Sequence, residues 1–145
     1  MEKENSRIEI VGMEDQRVWP FIQQVPMASR ALLFGWDRLR PVEFVGLALD
    51  DEGSVIGLAT LAPTDESGEQ PRPTIIGVWV VPAHRKQGVG PALMKALSQQ
   101  CLESYKMAPT ADAVSVDGLK LCRRCVDAGI QLEYNNGVLL GMRLP

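Results

Sequence analysis

Cysteine is scarce: the chain of 145 residues carries three, an odd number. That count argues against the disulfide framework of a small secreted protein and for a cytoplasmic setting. An excess of positive charge is missing too. Lysine and arginine total 15 against 18 aspartate and glutamate, a formal net charge of -3, with an isoelectric point near 5.2. A general nucleic-acid binder, which presents a basic face, does not fit that balance. No apolar run approaches the roughly 20 residues that cross a bilayer. The opening Met1-Glu2-Lys3-Glu4-Asn5 is polar and charged, unlike a signal peptide. No repeat, low-complexity tract or long linker divides the chain, so residues 1–145 are expected to form a single domain. Its 46% hydrophobic content suffices for one core.

What is present is concentrated between Thr74 and Tyr105. A β-branched apolar run (Ile75, Ile76, Gly77, Val78, Trp79, Val80, Val81) ends at Pro82 and reads as a strand buried on both faces. Arg85-Lys86-Gln87-Gly88-Val89-Gly90 follows, and then Leu93, Met94, Leu97, Cys101 and Tyr105 mark one stripe of a helix. The first amides of a helix have no intrahelical acceptors, and the helix dipole places partial positive charge there. Glycines at 88 and 90 let the backbone approach a ligand closely or take positive φ. Arg85 and Lys86 add charge at the rim, and Pro91 suits a first helical turn, where a missing N–H costs least. The turn is therefore built for an anion, and phosphate oxygens suit it best.

The rest of the chain alternates strands and helices. Arg7–Val11 reads as a strand, Met13–Gln24 as a helix with Glu14 and Asp15 in its first turn, and Ala28–Arg40 as a second helix carrying Leu32, Leu33, Trp36 and Leu39. Phe44–Leu49 and Ser54–Leu61 form a hairpin across Asp50-Asp51-Glu52-Gly53, and a polar loop holds Asp65, Glu66 and Glu69. After the long helix, Met107–Asp112 is expected to connect to a short strand Ala113–Val116. A helix from Asp117 or Gly118 to Gly129 comes next, then a hairpin whose turn is Asn135-Asn136-Gly137. This is an α/β or α+β domain with a mixed sheet.

The dinucleotide fingerprint fails because Leu93 occupies its third glycine position, and the nucleoside-triphosphate loop is absent. Arg85-x-x-Gly88-x-Gly90, with its strand, Pro82 and helix, instead resembles the [RQ]-x-x-G-x-[GA] signature of the GNAT superfamily of N-acetyltransferases. The element order β-αα-β-β-β-α-β-α-β-β is that of the family, so the likeness spans the whole chain. It implies acetyl-CoA, or another acyl-CoA, as co-substrate and an amine of a small molecule or peptide as acceptor. With the charge balance and the lack of a long apolar run, no nucleic-acid or membrane partner is expected, and family members often form homodimers. The pantetheine arm would pair with backbone around Val78, Trp79 and Val80, and the diphosphate would meet Arg85, Lys86, Gln87, Gly88, Val89 and Gly90. Pro91 removes one donor that relatives often supply. A backbone N–H near Val80 would serve as oxyanion donor.

The usual catalytic side chains are missing. The family's general-base Glu falls at Thr74, its general-acid Tyr at Cys125 and its Asn at Gly118. Cys125 is open to two readings, a thiol general acid or a packing residue shared with Cys122. Cys122-Arg-Arg-Cys125 lacks the second ligand pair a zinc site needs and the context of a redox motif, so no metal is expected. His84, the one histidine, is read as a surface residue, with a phosphate contact or a general base as the alternatives. Asp65, Glu66 and Glu69 either attract a cationic acceptor or are simply solvated. Tyr105 and Tyr134 are read as packing residues, and Trp36 and Trp79 as cleft or core.

Overall fold

The structure is a computed structural model and describes residues 7–34, 42–63, 73–112 and 116–135. The elements are β1 (Arg7–Val11), α1 (Val18–Ile22), α2 (Met27–Phe34), β2 (Phe44–Leu49), β3 (Val55–Ala62) and β4 (Thr74–Val80). They continue, after one 3₁₀ turn (Pro82–His84), with α3 (Val89–Tyr105), β5 (Thr110–Asp112), α4 (Val116–Asp127) and β6 (Glu133–Asn135). The strands form one mixed sheet in the order β1-β2-β3-β4-β5-β6. The first four run antiparallel, and β5 and β6 add parallel pairs. The parallel joins follow from α3 and α4, each a crossover of the kind a parallel pair requires.

Alternation along the strands sends side chains to two cores. Val45, Leu47 and Leu49 of β2 pack with Val18, Phe21, Ile22, Val25 and Leu33 from α1, α2 and their connection. Ala48 points the other way, into the core made by Leu93, Met94, Leu97 and Cys101 of α3 with Cys122 and Cys125 of α4. β4 serves both layers: Ile75, Val78 and Val80 face α3, whereas Trp79 and Val81 face α1 and α2.

Three boundaries differ from the sequence expectation. The first helix is only Val18–Ile22. Pro20 sits in its first turn, where no N–H is needed, so the helix begins just before it. Asp15 consequently lies ahead of the helix, where its carboxylate accepts bonds from the Arg17 amide at 2.9 Å and the Arg17 guanidinium at 3.0 Å. The second helix starts at Met27, and Trp36 and Leu39 lie outside the described residues. A strand occupies Thr110–Asp112, where a connection was expected, because Thr110 N–H bonds the Pro73 carbonyl at 2.9 Å and thereby fixes that segment beside β4. Of the strand expected at Ala113–Val116, residues 113–115 lie outside the described residues and Val116 opens α4. Asp65, Glu66, Glu69 and the second strand of the terminal hairpin also fall outside the described residues. Among the described residues no helix is long and apolar enough to cross a membrane.

Candidate active site

β4 is held differently at its two ends. On one side it pairs with β3 throughout: Trp79 lies opposite Leu58, Val80 opposite Gly57, and Val81 N–H donates to the Ile56 carbonyl at 2.9 Å. On the other side, among the described residues, it pairs with β5 only at Thr74–Thr110 and Ile75–Ala111. Thr60 faces Gly77 while Leu61 faces Ile75, so Ile76 is an extra residue on β4. Such a bulge bends a strand away from its neighbour. In an antiparallel ladder successive residues turn their main-chain groups to opposite sides. Since Val81 and Trp79 address β3, Val78 and Val80 present their N–H and C=O groups to the side β5 has left. Trp79 was expected to offer backbone there as well, but its main chain is committed to Leu58; its indole lines the cavity instead.

The loop beyond β4 ends in the long helix α3. Gly88 caps it with φ 87°, a left-handed conformation with nothing within 4 Å of a would-be Cβ, and Lys86 also has positive φ, 66°. These two residues fold the chain back so that successive amides face one side. The amides of Lys86, Gln87 and Gly88 find no acceptor among the described residues. Val89 and Gly90 open α3, where no intrahelical acceptor exists, and Pro91 has no N–H to offer. Gly90 differs from Gly88: its φ is ordinary, and a Cβ there would lie 3.4 Å from the Leu121 Cδ1, an ordinary contact with α4.

Loop, β4 edge and α4 enclose a cavity of ≈ 660 Å³. It is lined by Val78, Trp79, Val80, Arg85, Lys86, Gly88, Val89, Gly90 and Pro91, all expected from the sequence. Gln87 is exposed and Cys125 fully buried, and neither lines it. Lys120, Leu121 and Arg124 from α4, Asp117, and Ser29 and Leu33 from α2 were not foreseen. Lys120 and Arg124 are four apart, one turn of helix, beside the inward-facing Leu121 and Cys125; that cationic stripe was the signal available. With Arg85 and Lys86 they give the cavity, among the described residues, four cations against the one carboxylate of Asp117, a field suited to a polyanion. Because α2 lies on one face of the sheet and α4 on the other, the cavity crosses the sheet at the free edge of β4.

The remaining candidates divide clearly. Cys125 has no exposure, and burial, reinforced by Cys122 and opposed by Arg124, pushes its thiol up to about 11. Thr74 is buried and its hydroxyl lies 3.1 Å from that of Thr110. His84 is part-buried on the cavity wall, with a buried Nδ1 that has no partner among the described residues. Arg85 reaches back along the strand: its Nε donates to the Val80 carbonyl at 2.8 Å, and its guanidinium carbon lies 5.4 Å from the Trp79 ring centroid. Tyr105 packs edge-on to Phe44 at 6.3 Å, and Tyr134 packs against the α3 core.

Comparison with known proteins agrees with this geometry. Residues 10–125 match the Acetyltransferase (GNAT) family. No curated protein matches the chain. Among solved structures, an aminoglycoside acetyltransferase, meta-AAC0020, from an uncultured soil metagenomic sample superposes with a TM-score of 0.59 at 20% identity, over 83% of this chain and 86% of that one. Ribosomal-protein-alanine N-acetyltransferase from Brucella melitensis biovar Abortus 2308 gives 0.56 at 17% identity, over 83% and 89%. The GNAT family N-acetyltransferase YhbS from Escherichia coli, solved in complex with CoA, gives 0.52 at 20% identity, over 71% and 59%. At these identities the likeness is one of fold, and the family match extends it to sequence. The chain belongs to the GNAT family of acetyltransferases.

Proposed function

We propose that the protein is a cytoplasmic, acyl-CoA-dependent N-acyltransferase that moves an acetyl group from acetyl-CoA to a primary amine of a small molecule or peptide. One observation carries the reading: the amides of Lys86 to Gly90, which find no acceptor among the described residues, lead into the start of α3 beside the edge of β4, at a cavity lined by Arg85, Lys86, Lys120 and Arg124. A diphosphate satisfies those donors, and an extended amide-bearing arm satisfies Val78 and Val80 as an added strand would. The absent N–H at Pro91 weakens binding by about 0.5–1.5 kcal/mol, the net worth of one ordinary hydrogen bond. Lys120 and Arg124 offset further negative charge on the nucleotide.

In the reaction proposed, the neutral amine attacks the thioester carbonyl. Its carbonyl oxygen takes up negative charge and is met by the Val80 N–H, which faces the free edge. The carbon–sulfur bond then breaks, CoA departs as a thiolate that gains a proton, and the amine loses one. Cys125, sealed in the core with its thiol held protonated, is assigned to packing. The acceptor enters from the α2 side, past Ser29, Leu33 and Trp79. The neighbours named for aminoglycosides and for a ribosomal-protein alanine support an acceptor amine on either a small molecule or a polypeptide.

A second reading has its own observation. Thr74, at the position of the family's usual base, is buried and bonded to Thr110, and Cys125 is buried and does not line the cavity. A CoA-binding sensor of the same fold would look this way. Acetyl-CoA should raise the melting temperature under both readings. Thiol release measured over a panel of amines separates them: an acceptor that speeds CoA release supports the enzyme, and none across the panel supports the sensor.

A further inference from the structure

We propose that Arg85 gates the acyl channel, so that the thioester arm enters fully only when a diphosphate draws the guanidinium away. The inference rests on the acyl-CoA reading above. The Val80 carbonyl is one of the acceptors that an arm lying along the free edge of β4 would use. Arg85 Nε already donates to it at 2.8 Å, and the guanidinium carbon stands 5.4 Å from the Trp79 ring centroid. An added strand runs about 4.8 Å from its neighbour, so a guanidinium bonded to Val80 lies in the lane the arm must take. A charged side chain covering an unpaired edge also shields it from pairing with other chains.

Arg85 is the first residue of the phosphate loop, and it is exposed, held at the strand by its bond to Val80 and its contact with Trp79. A diphosphate offers it charged acceptors in the planar geometry a guanidinium prefers, a stronger attraction than one neutral carbonyl. Occupation of the loop therefore clears the edge. The two halves of the donor should bind cooperatively, and thioesters on a pantetheine arm without a diphosphate should be disfavoured as donors. Arg85 thus sets donor specificity through the main chain of Val80.

Calorimetry with acetyl-CoA, S-acetylpantetheine and ADP tests this. In the wild-type protein, saturating ADP should tighten S-acetylpantetheine about three- to tenfold, the scale of one hydrogen bond. In Arg85→Ala, S-acetylpantetheine alone should bind about three- to tenfold tighter than in wild type, ADP should add nothing, and acetyl-CoA should weaken by a similar factor. The gate is overturned if ADP leaves S-acetylpantetheine unchanged, unbound or weaker in wild type, or if Arg85→Ala weakens S-acetylpantetheine. The ADP arm decides alone if the variant does not fold. Binding of acetyl-CoA alongside those negative results leaves the proposed function standing, whereas no binding of acetyl-CoA to the wild type removes both.

Discussion

The two ends of β4 have similar sequences and opposite fates. Thr74-Ile75 is paired on both sides and buried, while Val78-Trp79-Val80 is paired on one side and half-exposed. Both stretches are rich in β-branched residues of high strand propensity, so local propensity does not separate them. The difference arises from one extra residue, Ile76, and from a neighbour, β5, whose pairing with β4 among the described residues is confined to Thr74 and Ile75. One strand thereby serves as core at its start and as a binding edge at its end. The amides at the loop lie beyond the second end, so the anion site inherits its position from the rigid first end.

The comparison can be broken by experiment. Gly90→Asp places a carboxylate among the amides, where it repels phosphate and crowds Leu121; acetyl-CoA affinity should fall about 1000-fold or more in calorimetry. Gly90→Ala, whose Cβ would meet Leu121 at only 3.4 Å, should retain most of it. An unchanged affinity in Gly90→Asp would move the anion site elsewhere. At the core end, Ile75→Ala should cost about 2–5 kcal/mol in denaturant unfolding. Val78→Ala should cost less than half of that and act mainly on KM, and equal losses would mean that the two ends do not differ.

Smaller effects sharpen the site. Removing both Lys120 and Arg124 should weaken acetyl-CoA about tenfold at low salt and flatten the salt dependence of binding; an unaltered salt slope would take α4 out of the nucleotide contact. Cys125→Ala should lower turnover less than tenfold, as packing loss rather than loss of an acid would do. The same thiol makes a pH prediction. Its proton is held more tightly in the folded state, up to about 11 against an ordinary 9.0, so its contribution to stability is complete below pH 9. That contribution is lost as pH rises through about 11. The melting temperature should fall over this window, and less steeply in Cys125→Ala; identical slopes would contradict the buried-thiol picture.

Much of this was legible in the residues. The strand, loop and helix from Thr74 to Tyr105 declared themselves through a change of apolar period across a basic, glycine-bearing turn, and the Asp50–Gly53 hairpin through its turn chemistry. β5 was not legible, because Thr-Ala-Asp has little strand character of its own and is made a strand by Pro73 on one side and Glu133 on the other. The length of α1 was not legible because Glu14 and Asp15 suit a first helical turn, whereas in the fold Asp15 and Arg17 bond each other ahead of the helix. At the site, the loop and strand residues came from local sequence. Lys120 and Arg124 did not, since only the packing of α4 on Gly90 brings them there. The orientation of Val78 and Val80, and Arg85 against Val80, depend on pairing register, which one strand's sequence does not carry.

The most direct measurement is a titration of the isotopically labelled protein with acetyl-CoA, followed through its backbone amide resonances. The largest shifts are expected at Lys86, Gln87, Gly88, Val89 and Gly90, with Val78 and Val80 moving and Ile75 nearly still. Saturable binding that leaves the loop amides in place, or perturbs only residues such as Lys95 and Gln131 along the outer side of α3, would contradict the assignment of the diphosphate to the start of α3.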